Sequence, residues 1–300
     1  MKPGPFTYHD PTTVDELVGL VDSLEDAKLL AGGQSLMPML NLRLAQPDHI
    51  IDLNTVAGLD SVASTGAGVR VGAMARQAGL MTDPAVADAV PVMAEALHWV
   101  GHFQTRTRGT IGGSLSHLDP AAELPVVALL HDAELTVAGS GGTRVVPMGE
   151  WPMFYMVPNL AEDEVLTSIE FHRWEQPYGF AFEEFARRYG DFAIVAVGAL
   201  LAVDDDRSIT RAAVSVAGAQ PTPSRLHDVE AALVGQPVGP ATLRAAGELA
   251  GTIDAMTDSY IRGAYRQRLT AVLTRRALAK AAARAGHPAG ADGQRIGGEV

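Results

Sequence analysis

The sequence predicts an α+β protein built in two parts that meet near residue 175. Three observations carry that prediction. Short apolar runs bounded by Gly, Pro and Asp interleave with segments of helical period through the first part. From residue 178 the order changes, and Val- and Ala-rich strand patterns come first with three helical segments after them. A chain of 300 residues also exceeds what one minimal domain needs and accommodates two.

Taken in order, "TTVDELVGLVDSL" (12–24) has apolar residues at helical spacing, with Thr12 or Thr13 as cap and Asp15 and Glu16 in the first turn. "AKLLAGG" (27–33) and "HIIDLN" (49–54) read as short buried strands, with "PMLNLRLAQP" (38–47) a short helix between them. "LDSVASTGAGVRVGAMA" (59–75) alternates about Gly66–Gly68, the pattern of a hairpin. "ADAVPVMAEALHWVGH" (87–102) is a helix entered near Pro91. A second Gly-Gly turn precedes the helix "AELPVVALLHDA" (122–133), and "ELTVAG" and "RVVPM" form a strand pair. "EVLTSIEFHR" (164–173) is the strand that closes the first part. In the second part "DDDRS" is a hairpin turn between strands, "SRLHDVEAALVG" and "ATLRAAGELAG" are helical, and 259–285 is one long helix with a basic face. The expected units are 1–175, 176–285, and a Gly-, Ala- and Pro-rich tail over 286–300 that reads as disordered.

Composition narrows function. A net charge of −12 argues against nucleic acid as partner, since phosphate backbones call for a basic face. No apolar run has the length of a bilayer span. "MKPGPFTYHDP" lacks the apolar core of a secretion signal, so the cytoplasm is the expected location. The chain has no cysteine, which excludes disulfides, thiolate nucleophiles and iron–sulfur clusters ligated by this chain.

The candidate site rests on two stretches, "LLAGGQSLMPMLNLR" (29–43) and "TIGGSLSHLDPAAELP" (110–125). Each reads as leaving a buried strand through Gly-Gly, offering Ser or Gln, and entering a helix. Glycine lets backbone N–H groups approach a phosphate without Cβ, and consecutive N–H groups form an anion nest. Ser35, Ser114 and Thr110 add hydroxyls. Other readings fail on spacing. Gly66, Gly68 and Gly72 do not make a dinucleotide fingerprint, and no P-loop is present. Met37 stands where a nucleophile elbow needs its second Gly, against a hydrolase using Ser35. His98 and His102 lie one helical turn apart with no third metal ligand at a recognisable distance, so core or surface roles are expected. Residue by residue the reading ends at an α+β protein that binds a phosphate-bearing cofactor.

The same stretches carry a resemblance. "AGGQSLMPMLNLRLAQPDHIIDLN" and "RGTIGGSLSHLDPAAELP" are similar to the two flavin-binding motifs of the FAD-carrying medium subunits of molybdenum hydroxylases. The similarity continues through "YGFAFEEFARRYGDFAIVAVGALL", "VAGAQPTPSRL" and "YRQRLTAVLTRRAL", covering about residues 1–285. It implies a two-lobed, PCMH-type FAD-binding domain followed by a small α+β domain that closes over the flavin. Carried onto this chain, Ala31, Gly32, Gly33, Gln34 and Ser35 would wrap the FAD diphosphate from one lobe. Thr110, Ile111, Gly112, Gly113 and Ser114 would wrap it from the other. Asp119 and Glu123 would hold the ribose and adenine end, the Leu166 backbone would meet the ring edge, and Phe192 would lie near the ring. Glu123 stands where many relatives have Asp, Ser114 where Asn is usual, and Gln34 where the type case has His.

The resemblance further implies a non-covalent FAD and no catalytic residue for the organic substrate on this chain. A large subunit with molybdopterin would do the hydroxylation, and a small subunit would carry two [2Fe–2S] clusters. The flavin chain would pass electrons to an external acceptor, with a dimer of heterotrimers admitted. Two alternatives stand beside it: a self-sufficient flavoprotein oxidase or reductase, and an assembly subunit whose flavin site has decayed. The intact Gly pairs argue against the second alternative.

Overall fold

The computed structural model describes residues 2–175 and 177–285. The first lobe is a three-stranded parallel sheet with a helix on it. β1 (Thr7–His9) leads into α1 (Val14–Ser23), then β2 (Ala27–Leu30), α2 (Leu36–Asn41) and β3 (His49–Asp52). β3 lies between β1 and β2, parallel to both. Thr13 caps α1, accepting from the Glu16 N–H while Glu16 reaches back, a full capping box. α2 begins two residues before the expected Pro38. Pro38 is tolerated there because first-turn N–H groups have no intrahelical acceptor. The helix stops at Asn41, and Arg43 takes a left-handed φ of +58° where helix was expected.

The second lobe begins with the hairpin β4 (Val62–Ser64) and β5 (Gly68–Gly72). Six helices follow: α3 (Gln77–Leu80), α4 (Pro84–Ala89), α5 (Val92–Trp99), α6 (Phe103–Arg108), α7 (Ile111–His117) and α8 (Glu123–Leu130). Next come β6 (Glu134–Gly139), β7 (Gly142–Pro147), the small hairpin β8 (Pro152–Phe154) and β9 (Val157–Pro158), and β10 (Glu164–His172). The five-stranded antiparallel sheet runs β4-β5-β10-β6-β7. β10 is bulged between Leu166 and Ser168, a device that re-aims a strand locally.

The remaining residues form the antiparallel sheet β11 (Gly179–Phe185), β12 (Val195–Val203), β13 (Ile209–Ala217) and β14 (Ser224–Arg225). They also form α9 (His227–Leu233), α10 (Pro240–Ala250) and α11 (Gly263–Arg284). One face of this sheet packs with the second lobe: Phe182, Ala196 and Leu200 share a core with Leu97, Val126 and Leu130. The other face, with Ala181, Val197 and Leu201, buries against Leu273, Ala277 and Ala281 of α11. Strand alternation thus sends odd and even residues of β11 to different cores. A third, smaller core joins Leu17 and Ile51 of the first lobe to Met74 and Val165 of the second.

The basic face expected on the long helix is only partly solvated. Arg266 is buried and donates to the Ile194 and Gly218 carbonyls and to Asp258, Lys280 pairs with Glu183, and Arg284 pairs with Glu95. Arg207, from the "DDDRS" turn, donates to the carbonyls of Ala282 and Ala285 and closes the C-terminal end of α11. The expected tail over 286–300 lies outside the described residues. Among the described residues no helix is long and apolar enough to cross a membrane.

Candidate functional site

The first Gly-Gly turn follows β2 as read from the sequence, and it leaves donors unused. Gly33 has φ of +71°, a conformation that favours glycine. Among the described residues, the N–H groups of residues 31–35 donate to no acceptor in the protein. The Gln34 side chain folds back onto the Gly32 carbonyl (3.1 Å), while Asn54 Nδ2 holds the Ala31 carbonyl (3.1 Å). Five successive N–H groups are therefore left without a protein acceptor on a braced loop.

The second turn differs from expectation. Gly112 and Gly113 lie in the first turn of α7, between two helices rather than after a strand. Thr110 caps that helix by accepting from the Gly113 N–H at 3.0 Å. The N–H groups of Ile111 and Gly112 donate to the carbonyls of Ala75 (3.1 Å) and Ala73 (2.8 Å), and that of Ser114 to Thr110 (3.2 Å). The cap, the 73–75 backbone and the helix itself have consumed the donors that the sequence offered to a phosphate. A Cβ on Gly112 would meet Ala73 Cβ at 2.5 Å and its carbonyl oxygen at 2.6 Å. Gly112 is thus glycine so that α7 can lie on the 73–76 backbone. The Ile111 side chain is fully buried in the second-lobe core and is not among the residues that line the cavity.

The two turns nevertheless face each other. A Cβ on Gly32 would collide with the Arg108 carbonyl oxygen and stand 2.8 Å from Gly109 Cα, and one on Gly113 would lie 3.4 Å from Ala31 Cβ. A polar bridge ties them as well. Arg76 donates both to Asn54 Oδ1 and to the Arg108 carbonyl, so Asn54 and Arg76 join one turn to the other. Between them opens a cavity of about 690 Å³, within the roughly 300–1,000 Å³ typical of cofactor sites. It is lined by Ala31, Gly32, Gly33, Gln34, Ser35, Thr110, Gly112, Gly113, Ser114, Asp119, Glu123, Leu166 and Phe192, every site residue read from the sequence except Ile111. Leu166 sits at the β10 bulge and belongs to the core as well. Phe192 is 75% exposed, so it is a rim residue and not core packing. It sits in a loop where Gly190 (φ +82°) packs so closely on His102 that a Cβ would lie 2.5 Å from the ring.

His98 and His102 do not share a helix face. His98 lies in α5, whereas His102 is the N-cap of α6, and both flank Tyr189, whose hydroxyl donates to the His98 carbonyl at 3.1 Å. Among the described residues no cluster of three His, Asp or Glu could hold a metal.

Burial sets the charge of the cavity wall. Glu123, the first residue of α8, is pushed up to about 7 by desolvation, with the Asp119 carboxylate adding to the rise. The wall can therefore offer a carboxyl that donates as well as accepts. Asn54 and Arg76 were missed from sequence. Asn54 carried a signal, since it closes the strand "HIIDLN" opposite the first turn. Arg76, inside "GAMARQ", carried none.

Comparison with known proteins gives the relationship. Residues 4–174 match the model described as the FAD binding domain in molybdopterin dehydrogenase, and residues 180–281 match the CO dehydrogenase flavoprotein C-terminal domain. The nicotine 6-hydroxylase medium subunit of Paenarthrobacter nicotinovorans is 36% identical over 95% of this chain and 100% of that protein. Caffeine dehydrogenase subunit beta of Pseudomonas sp. (strain CBB1) is 35% identical over 96% of this chain and 98% of its own length. A carbon monoxide dehydrogenase structure from Hydrogenophaga pseudoflava superposes with a TM-score of 0.92 at 33% identity, covering 95% of this chain and 100% of that one.

Proposed function

This chain belongs to the family of FAD-binding medium subunits of molybdenum hydroxylases, and from that premise we propose that it is the electron relay of a three-subunit enzyme. It is an oxidoreductase subunit that works with large and small partners. In the proposed relay it holds one FAD without a covalent bond and receives electrons from [2Fe–2S] clusters on the small partner. It delivers them to an external acceptor, while the large partner, with molybdopterin, hydroxylates the organic substrate. Two such trimers pairing in the cytoplasm complete the proposal, as does a division of the chain into units over 1–175 and 176–285.

The observation that carries the reading is the meeting of the two glycine turns around one cavity, with the N–H groups of 31–35 left free on one of them. The residues fit a nucleotide diphosphate. The free N–H groups would take the place of water around the phosphates, and the cavity-lining Ser35 and Ser114 would add hydroxyls. Thr110 keeps α7 capped, and Gly112 seats that helix against Ala73. Asp119 and Glu123, which line the cavity, would hold hydroxyls at the ribose end, and the Leu166 backbone and Phe192 would lie toward the ring. When bound, FAD supplies the chemistry of a carrier that accepts and releases electrons. The protein's own part is to position it, exclude water from it and leave one edge open at the Phe192 rim. A quinone, dye-like acceptor or oxygen suits that open rim, since no dinucleotide fingerprint is present for a nicotinamide.

Affinity purification of the tagged chain from cells expressing its neighbouring genes tests this. Two further chains should accompany it, with Mo, Fe and FAD in the complex. A chain that purifies alone, yellow, and oxidises a small molecule by itself would favour the self-sufficient oxidase.

A further inference from the structure

Glu184 lies on β11, two residues beyond Phe182 and on the same strand face, toward the core shared with α5 and α8. It is buried, 7% exposed, and neither carboxyl oxygen has a hydrogen-bond partner among the described residues. The charge that acts on it is Glu123, itself buried and lining the cavity, and Glu123 in turn lies in the field of Asp119, also on the cavity wall. The groups packed around are committed elsewhere. On α5, Glu95 accepts from the Phe182 N–H at 3.0 Å and from Arg284 of α11 at 2.7 Å. Across the sheet, Lys280 of α11 pairs with Glu183. On β12 the residue opposite Glu184 is Ala196, which carries no charge.

A carboxylate with neither hydrogen bond nor cation is among the costliest groups to bury, and a second carboxylate beside it makes ionisation harder still. Where no cation is supplied, a proton is the remaining counter-ion. Burial and Glu123 together push Glu184 up to about 9, in agreement with that argument.

We infer that Glu184 is a positioning residue that stays a neutral acid behind Glu123, and so limits the negative charge on the cavity wall where a phosphate-bearing cofactor binds. The cofactor part of this rests on the flavin reading above; the protonation of Glu184 does not. Asp119 and Glu123 line the cavity and Glu184 lies behind Glu123, so ionisation of Glu184 adds to the negative charge of that wall, a charge that no hydrogen bond among the described residues offsets. FAD affinity should therefore fall on the alkaline side. The isosteric Glu184→Gln, which cannot ionise, should lose less.

Infrared spectra of the full chain and of Glu184→Gln at pH 8 test the assignment without any cofactor. The wild type should show the carbonyl band of a protonated carboxylic acid that the variant lacks. FAD titration by fluorescence quenching between pH 7 and pH 10 then tests the coupling. Wild-type affinity should fall by about tenfold, and that of Glu184→Gln by about threefold or less. Absence of the band overturns the inference whatever the titration gives, and parallel affinity curves overturn the coupling to binding. A band in a protein that binds no FAD at any pH would overturn the flavin reading and leave the proton on Glu184. Circular dichroism and melting at pH 6 confirm that the variant is folded, and Glu184→Asp should restore the band if the site requires an acid.

Discussion

Replacing Gly32 by alanine probes the contact between the two turns. The new methyl would overlap the Arg108 carbonyl oxygen and stand 2.8 Å from Gly109 Cα. Both obstacles are backbone, so no side-chain rotation relieves them. Carbon–oxygen contacts settle near about 3.3–3.6 Å, so the turns must part by about 1 Å. Overpacking of that kind costs about 1–3 kcal/mol. The same displacement stretches the Asn54–Arg76–Arg108 bridge, whose charge-assisted bonds contribute about 1.5–3 kcal/mol when intact. A loss of about 2–4 kcal/mol in stability is expected, together with most of the bound flavin. Gly33→Ala is the informative comparison. There the methyl meets only side chains, Met37 at 3.1 Å and Leu30 at 3.4 Å, and the cost is the left-handed backbone at φ +71°, about 1–2 kcal/mol. Urea unfolding of each variant and flavin released per chain make the measurement. Gly32→Ala with wild-type stability and full flavin content would show that the turns do not touch in solution, and the site as built here would fall.

Other perturbations separate structural from binding roles. Gly112→Val drives its side chain into Ala73, so it should yield little folded chain in soluble expression, whereas Ser114→Ala should fold normally and weaken FAD binding by about 0.5–1.5 kcal/mol in a titration. Phe192→Ala, at the exposed rim, should leave the melting temperature nearly unchanged, within about 0.5 kcal/mol, and alter the rate of reoxidation by an added quinone in stopped flow. Arg225→Met removes a guanidinium that binds Glu230, Asp132 and the Leu129 carbonyl, leaving Glu230 buried without its cation; denaturation should show a loss of about 3–5 kcal/mol. Stability should also fall as pH rises from about 5 to 9. Glu123 and Glu184 hold protons in the folded chain, at about 7 and about 9, that the unfolded chain releases earlier. The shape of melting curves against pH, flatter in Glu184→Gln, checks that sign.

Much of this was legible in the sequence because local signals and packing agreed. Thr13 and Glu16 announced the start of α1, the hairpin about Gly66–Gly68 formed where its pattern placed it, and the long helix formed as well, though from Gly263 and not from 259. The first turn lay where its glycines suggested. The second misled because Gly-Gly reads as a turn from local preference alone. In the fold the pair sits in α7, where Gly112 is required by Ala73, a residue 39 positions away along the chain. That contact belongs to tertiary structure and leaves no local trace. For the same reason nothing local marks Ile111, between Thr110 and Gly112, as the core anchor of that helix. Glu184 was within reach: in "GFAFEEF" strict alternation puts it on the face of Phe180 and Phe182, so one acid of the pair had to point inward. What the sequence could not show is that, among the described residues, no cation pairs with it there.

The central claim is that these two turns enclose a flavin nucleotide, and one measurement meets it directly. The chain is purified alone, its visible spectrum recorded, and the protein denatured to release what it carries. The expected result is a yellow protein that yields close to one FAD per chain, free of any covalent link. A colourless chain whose fluorescence is indifferent to added FAD would contradict the account at its root.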